Sequence, residues 1–222
     1  MSFYLVAMSR FFTLTWLVLM VAISGMADAA GLSVLATDGS GQPVGNAVVS
    51  LRPANGTAPP ASRAPEQKII DQQNETFLPL VTLLWPGDSI IFRNSDKTRH
   101  HVYSFSAIRQ FQYLIDVGTQ SPPVLFDKPG VAAIGCNIHD QMVAYVYVAA
   151  SPWTALTAAD GRVRLDALPP GDYVATAWHP RLRPGSKPPA EPLHIADTDA
   201  TLTLPLALLS DWNRPVGHRH TY

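Results

Sequence analysis

VLFDKPGVAAIGCNIHDQMVAYVYVA, residues 124 to 149, holds the only cysteine of a 222-residue chain and decides how the rest is read. Its three apolar runs, VLF, VAAIGC and MVAYVYVA, are short and separated by turn residues. KPG at 128 to 130 is a tight turn between two apolar strands. MVAYVYVA mixes alternation with β-branched and aromatic residues, as a strand on a sandwich face does. The loop joining the last two strands is CNIHDQM, residues 136 to 142. It sets the Cys136 thiol three residues before the His139 imidazole and the Met142 thioether three residues after it. Alone, C-x-x-H-x-x-M is a weak motif, because each of these residues is ordinary at a strand end. Its place between two strands gives it weight.

Outward from this stretch, residues 67 to 149 form a continuous block of strands. QKIIDQQN leads into FLPLVTLLW, PGD turns the chain into SIIFRN, and HHVYSFS follows. AIRQFQYLID fits either a short helix or an irregular strand. Residues 61 to 66 read as a connector. Before it, residues 30 to 60 carry LSVLATDGSG and NAVVSL, a hairpin-like signal. After it, residues 151 to 209 carry RVRLDAL, a PPGD turn and YVATAW as another hairpin, then LHIADTDATLTLPLALL with one or two further strands. Residues 210 to 222 read as a frayed tail, a poor place for an organised site despite His218 and His220. Twenty prolines, fourteen glycines and few helix-period segments predict an all-β chain.

Residues 1 to 29 have the pattern of a cleaved signal peptide. Arg10 closes the n-region, residues 11 to 25 are an apolar run, and Ala27 and Ala29 supply the small-residue spacing for cleavage after Ala29. An uncleaved signal anchor is the alternative. No second apolar run reaches spanning length, so no membrane span is expected after cleavage, and the periplasm is the expected location. A formal net charge of −1 and the absence of a basic patch argue against nucleic acid. One cysteine cannot form an internal disulfide, and a free thiol outside the cytosol is a liability unless buried or employed.

The donor chemistry is specific. Two imidazoles, one thiolate and a weak thioether suit copper in electron transfer. CNIHDQM supplies three of these, and FRNSDKTRHHVYSFS offers His100 and His101 for the fourth. Adjacent side chains on a strand face opposite ways, so only one of the two enters a given site. A Cys–His nucleophile pair would need an orienting third group, and leaves the other histidine and Met142 unused. No phosphate loop, paired zinc-type cysteines or HExxH stretch is present. The chain is therefore expected not to be an enzyme. His179 reads as a strand-end residue packing on Trp178 or meeting the middle block, His194 as a strand residue, and Tyr103, Phe105 and Tyr145 as sandwich packing. Asn94 is expected to hold the turn before His100 through its side chain.

NSDKTRHHVYSF resembles the first-ligand segment of the blue-copper cupredoxins, plastocyanin and amicyanin in particular. FDKPGVAAIGCNIHDQM resembles their second segment, with the C-x-x-H-x-x-M spacing of the short amicyanin loop. The resemblance covers residues 67 to 149 nearly end to end. It implies a Greek-key cupredoxin β-sandwich holding one type 1 copper ion on His100, Cys136, His139 and Met142. Departures are Arg99 for a proline, Asn137-Ile138 inside the loop, and Asp140 for a proline after His139. Asp140 is placed to orient the His139 imidazole, and His101 and Asp140 displacing Met142 in a non-blue site is the alternative. The two flanks, VLATDGSGQPVGNAVVSL and TAADGRVRLDALPPGDYVATAW, resemble the carboxypeptidase regulatory-like, or transthyretin-like, sandwich. One small sandwich built from both flanks, carrying the middle block as an insertion, is the economical reading. Two separate flanking domains are the other. HHVYSFS, GCNIHD and WHP together resemble the exported bacterial proteins labelled methylamine-utilisation proteins. These resemblances imply a periplasmic single-electron carrier with an unknown redox or copper-exchange protein partner. Copper storage or delivery, or a structural binding module on a cupredoxin frame, is the alternative.

Overall fold

The computed structural model describes residues 30–210. The expected signal peptide, His218 and His220 lie outside them. The first strands are β1 (Ala30–Asp38) and β2 (Val48–Pro53). The middle block holds β3 (Gln67–Gln73), β4 (Thr76–Leu78), β5 (Val81–Leu84), β6 (Asp88–Asn94), β7 (His100–Ser106), β8 (Arg109–Ile115), β9 (Val124–Phe126), β10 (Gly130–Cys136) and β11 (Val143–Val148). The last are β12 (Thr154–Leu156), β13 (Arg162–Leu168), β14 (Gly171–Trp178), β15 (Ala190–Ile195) and β16 (Ala200–Leu206). The all-β expectation holds, and AIRQFQYLID is a strand paired along its length with β7.

Four sheets make two sandwiches. β4-β3-β6-β9 faces β5-β11-β10-β7-β8, and every strand in both comes from the middle block. Its core contains Phe77, Phe92, Phe126, Ile70, Ile90, Ile134 and Val102, all essentially inaccessible. Each such side chain contributes roughly 1.5–3 kcal/mol of transfer free energy. β13-β1-β16 faces β12-β2-β14-β15, and both sheets combine strands from the two ends of the described chain. Ala30 pairs with Leu168, and Val48 with both Leu156 and Trp178. Leu32, Leu51, Leu168, Ala175 and Leu204 fill this second core.

Two expected hairpins are corrected, and the KPG turn, expected only to join two strands, behaves in the same way. β1 and β2 lie in different sheets, as do β13 and β14 across PPGD, and β9 and β10 across KPG. Each turn reverses the chain but carries it to the facing sheet instead of the neighbouring strand. The two sandwiches meet on the outer face of β11, where the Trp178 ring lies 5.8 Å from Tyr145 and 5.6 Å from Tyr147. Tyr103 and Phe105 also point outward, and Phe105 is 73% exposed, so neither packs between the sheets as expected. The same period-two alternation that turns His100, Val102 and Ser104 inward puts His101, Tyr103 and Phe105 outside.

Candidate metal centre

Two of the four expected donors, His100 and Cys136, come from neighbouring strands at one end of the middle sandwich, and His139 and Met142 from the loop that follows the second. β7 and β10 pair with Cys136 opposite Val102, so Cys136 and His100 lie close on the same inward face. The pairing continues past the strand end, where Asn137 N donates to His101 O at 3.0 Å. The chain then turns, closed by Met142 N donating to His139 O at 3.0 Å, and enters β11. This brings His139 back over Cys136.

The donor atoms converge. Cys136 Sγ lies 3.6 Å from His100 Nδ1 and 4.0 Å from His139 Nδ1. One ligand atom from each of the three residues falls within 4.8 Å of the others. A metal ion held at about 2.0 Å by imidazole and about 2.3 Å by thiolate, at trigonal angles, separates sulfur from nitrogen by about 3.7 Å. Both sulfur–nitrogen separations are close to that value, so the three residues fit a shared metal ion. His100 is wholly buried, Cys136 is 3% exposed, and the His139 side chain is 17% exposed. Met142 is 2% exposed and packs in the same core as Cys136. His101, on the outer face, is not in the group.

The outer nitrogens of both rings face carboxylates. His100 Nε2 lies 3.2 Å from Asp96 Oδ2, and His139 Nε2 lies 3.5 Å from Glu75 Oε1. An ionised carboxylate there favours the tautomer with hydrogen on Nε2, which leaves each Nδ1 lone pair aimed at the cluster. The Glu75 amide donates to Asp96 Oδ2 at 2.7 Å. That bond foremost, with those from the Lys97 amide and the His100 ring, outweighs partial burial and holds the Asp96 carboxyl below the usual carboxylate range. Asn94 fixes the intervening turn. Its Nδ2 donates to Thr98 O at 2.9 Å and Ile115 O at 3.0 Å, while its Oδ1 accepts from Asp96 N at 2.9 Å.

The carboxylate beside His139 is thus Glu75, not Asp140. Asp140 is exposed and lines a groove with Tyr103, Phe105, Gly135, Cys136 and Met142. Asp96 stood within reach of sequence reasoning, four residues before His100 on a turn. Glu75, in the β3–β4 turn, had no local signal. His179 accepts from Arg181 N at 3.1 Å through Nδ1, and His194 Nδ1 lies 2.7 Å from Asp172 Oδ1 on the surface.

No protein-family model matches the chain, and no curated protein matches it. Among solved structures it is similar to a purple cupredoxin from Nitrosopumilus maritimus. Identity there is 22% and the TM-score 0.33, over 37% of this chain and 98% of that one. It is similar to amicyanin from Paracoccus versutus at 15% identity and a TM-score of 0.33, over 46% of this chain and 97% of that one. A copper-containing nitrite reductase from Thermus scotoductus SA-01 is similar at 20% identity and a TM-score of 0.34, over 44% of this chain and 25% of that one. At these scores the likeness assigns nothing, and the centre stands on its own atoms.

Proposed function

We propose that this chain is an exported type 1 copper protein, a single-electron carrier and not an enzyme, with His100, Cys136, His139 and Met142 as ligands of one ion. The observation that carries the reading is the pair of imidazole Nδ1 atoms facing one buried thiol at 3.6 and 4.0 Å. A soft thiolate with two imidazoles selects copper over hard cations, and Met142 adds the weak thioether of such sites. Bound copper would supply a one-electron couple between Cu(I) and Cu(II).

The protein's part is to hold the donors. His100 and Cys136 project from paired strands, so their separation is fixed by the ladder. Asp96 faces the His100 ring from behind, and Asn94 holds the turn that carries Asp96. Phe92, Phe126 and Ile134 pack in the same core as Cys136 and Met142. Rigid donors need little rearrangement when charge changes, which favours electron transfer over bond-making chemistry. The electron would pass to or from another redox protein outside the cytosol. The flanking sandwich, read as regulatory-like, would serve contacts. The methylamine-utilisation label adds no chemistry to this reading.

Anaerobic titration of the purified apoprotein with Cu(II) tests it. A blue colour from thiolate-to-copper charge transfer is expected, one ion per chain, and Cys136→Ala is expected to abolish it. Tight but colourless binding would replace electron transfer with storage or delivery. No binding would leave a structural module.

A further inference from the structure

Glu75 stands out once the contacts around the centre are followed to their ends. Its amide donates to Asp96 at 2.7 Å, and Asp96 faces His100 Nε2 at 3.2 Å. His100 and His139 both face Cys136, and His139 Nε2 returns to the Glu75 carboxylate at 3.5 Å. The other Glu75 oxygen accepts from Gln141 Nε2 at 3.2 Å. One residue therefore closes a ring of contacts through both imidazoles and the thiol. It also ties the β3–β4 turn to the loop that carries His139.

The backbone adds a second, independent observation. Asn74 and Glu75 have φ of 51° and 52°, both left-handed, as a two-residue hairpin loop of this kind requires. Asparagine tolerates that conformation and glycine is the relaxed choice for the second position. A glutamate held there is strained, and strain at a residue whose side chain reaches a candidate site points to a role for that side chain.

We infer that Glu75 is the positioning residue of His139: its carboxylate receives the His139 Nε2 hydrogen, fixes the ring over Cys136 and makes it a stronger donor to the oxidised ion. The inference rests on the copper reading above, but its first test needs no metal. In the apoprotein, the His139 Nε2 hydrogen is expected to give an observable NMR signal. Glu75→Gln keeps an acceptor oxygen there, with Gln141 turning its amide to match, and retains the signal. Glu75→Gly removes the acceptor while relaxing the turn. It is expected to lose the signal to solvent exchange without lowering the apo melting temperature.

On metal loading, Glu75→Gly is expected to bind Cu(II) roughly 10–100-fold more weakly, the usual effect of deleting such an outer partner. A tenfold loss confined to Cu(II) raises the reduction potential by about 59 mV. Glu75→Gln is expected to recover most of the affinity and part of the potential. Unchanged affinity, potential and His139 signal in Glu75→Gly would overturn the inference while leaving the copper reading intact. A Glu75→Gly protein that melts lower and binds copper normally would overturn it too, by making Glu75 a turn residue only. A wild-type protein that shows the protected His139 hydrogen but binds no copper would sink the copper reading and keep Glu75 as positioning residue.

Discussion

Asn94→Ala tests whether one buried amide holds the segment that delivers His100. Asn94 is 1% exposed, and its side chain makes hydrogen bonds to Thr98 O, Ile115 O and Asp96 N. Alanine removes all of them and leaves two carbonyls and one amide without their partner. A net contribution of about 1 kcal/mol per bond gives about 3 kcal/mol, and more if the stranded groups stay dry. In a chain of this size each kcal/mol moves the melting temperature by about 2–4 °C. The apo variant is therefore expected to melt about 6–12 °C below wild type by calorimetry. Asn94→Asp separates bonding from shape. It preserves volume but sets a second acceptor against Thr98 O and Ile115 O, so it is expected to cost at least as much as alanine. Because Asn94 Oδ1 also restrains Asp96, which faces His100, copper affinity is expected to fall roughly tenfold or more in both variants. An Asn94→Ala protein melting within about 2 °C of wild type would refute this account of the turn.

His100→Ala is expected to abolish copper binding while His101→Ala leaves it within about twofold, read by competition with a chelator of known affinity; equal losses would mean the ring assignments are interchanged. Acid stability should depend on Asp88, whose side chain is buried against Arg63. Burial alone would raise its carboxyl, but bonds from the Glu66 and Trp85 amides and from Arg63 hold it below the usual carboxylate range. With the folded value depressed, its contribution is fully present above the unfolded carboxylate range near 3.9 and is lost as pH falls through the folded value. Asp88→Asn is therefore expected to be less stable at neutral pH and to show a flatter acid limb in melting temperature against pH. Gly161→Ala is expected to destabilise by about 2–4 kcal/mol. Its φ is +73° and a Cβ there would meet Ala36 O at 2.6 Å and Val44 N at 2.9 Å. Copper affinity, read alongside, should not change, since the clash lies in the other sandwich.

Most strands were legible in this sequence, AIRQFQYLID fitting helix or strand alike, and strand pairing was not. Alternation is local, so the face each residue takes can be read from its neighbours. QFQYLI carries that signal within AIRQFQYLID, with Phe111, Tyr113 and Ile115 more buried than the residues between them. Turn chemistry is equally local, and DGSG, PPGD and KPG all reverse the chain. A reversal does not say whether the next strand pairs beside the last or crosses about 10 Å to the facing sheet. That choice depends on partners far away in sequence. β1 is held by β13 and β16 and not by β2, so its nearest turn has no information about its ladder.

The centre divides the same way. Cys136, His139 and Met142 share one loop, and the alternation that parts His100 from His101 is a property of a single strand. The carboxylates behind the rings obey no such rule. Asp140 looked placed to orient His139 because it follows it, yet residues adjacent in a tight turn diverge in space. Glu75 reaches the ring only because β3 runs parallel to β6, with Gln72 beside Asn94, which sets the β3–β4 turn next to the Asp96 turn. The sheet thus brings an acceptor to each imidazole from behind, while β7 and β10 set the sulfur in front. Each ring faces Cys136 at Nδ1 and a carboxylate from a turn at Nε2, Asp96 for His100 and Glu75 for His139, so turning either ring disturbs contacts on both sides. Such an arrangement fixes the donor geometry in the folded chain itself, before any ion is bound.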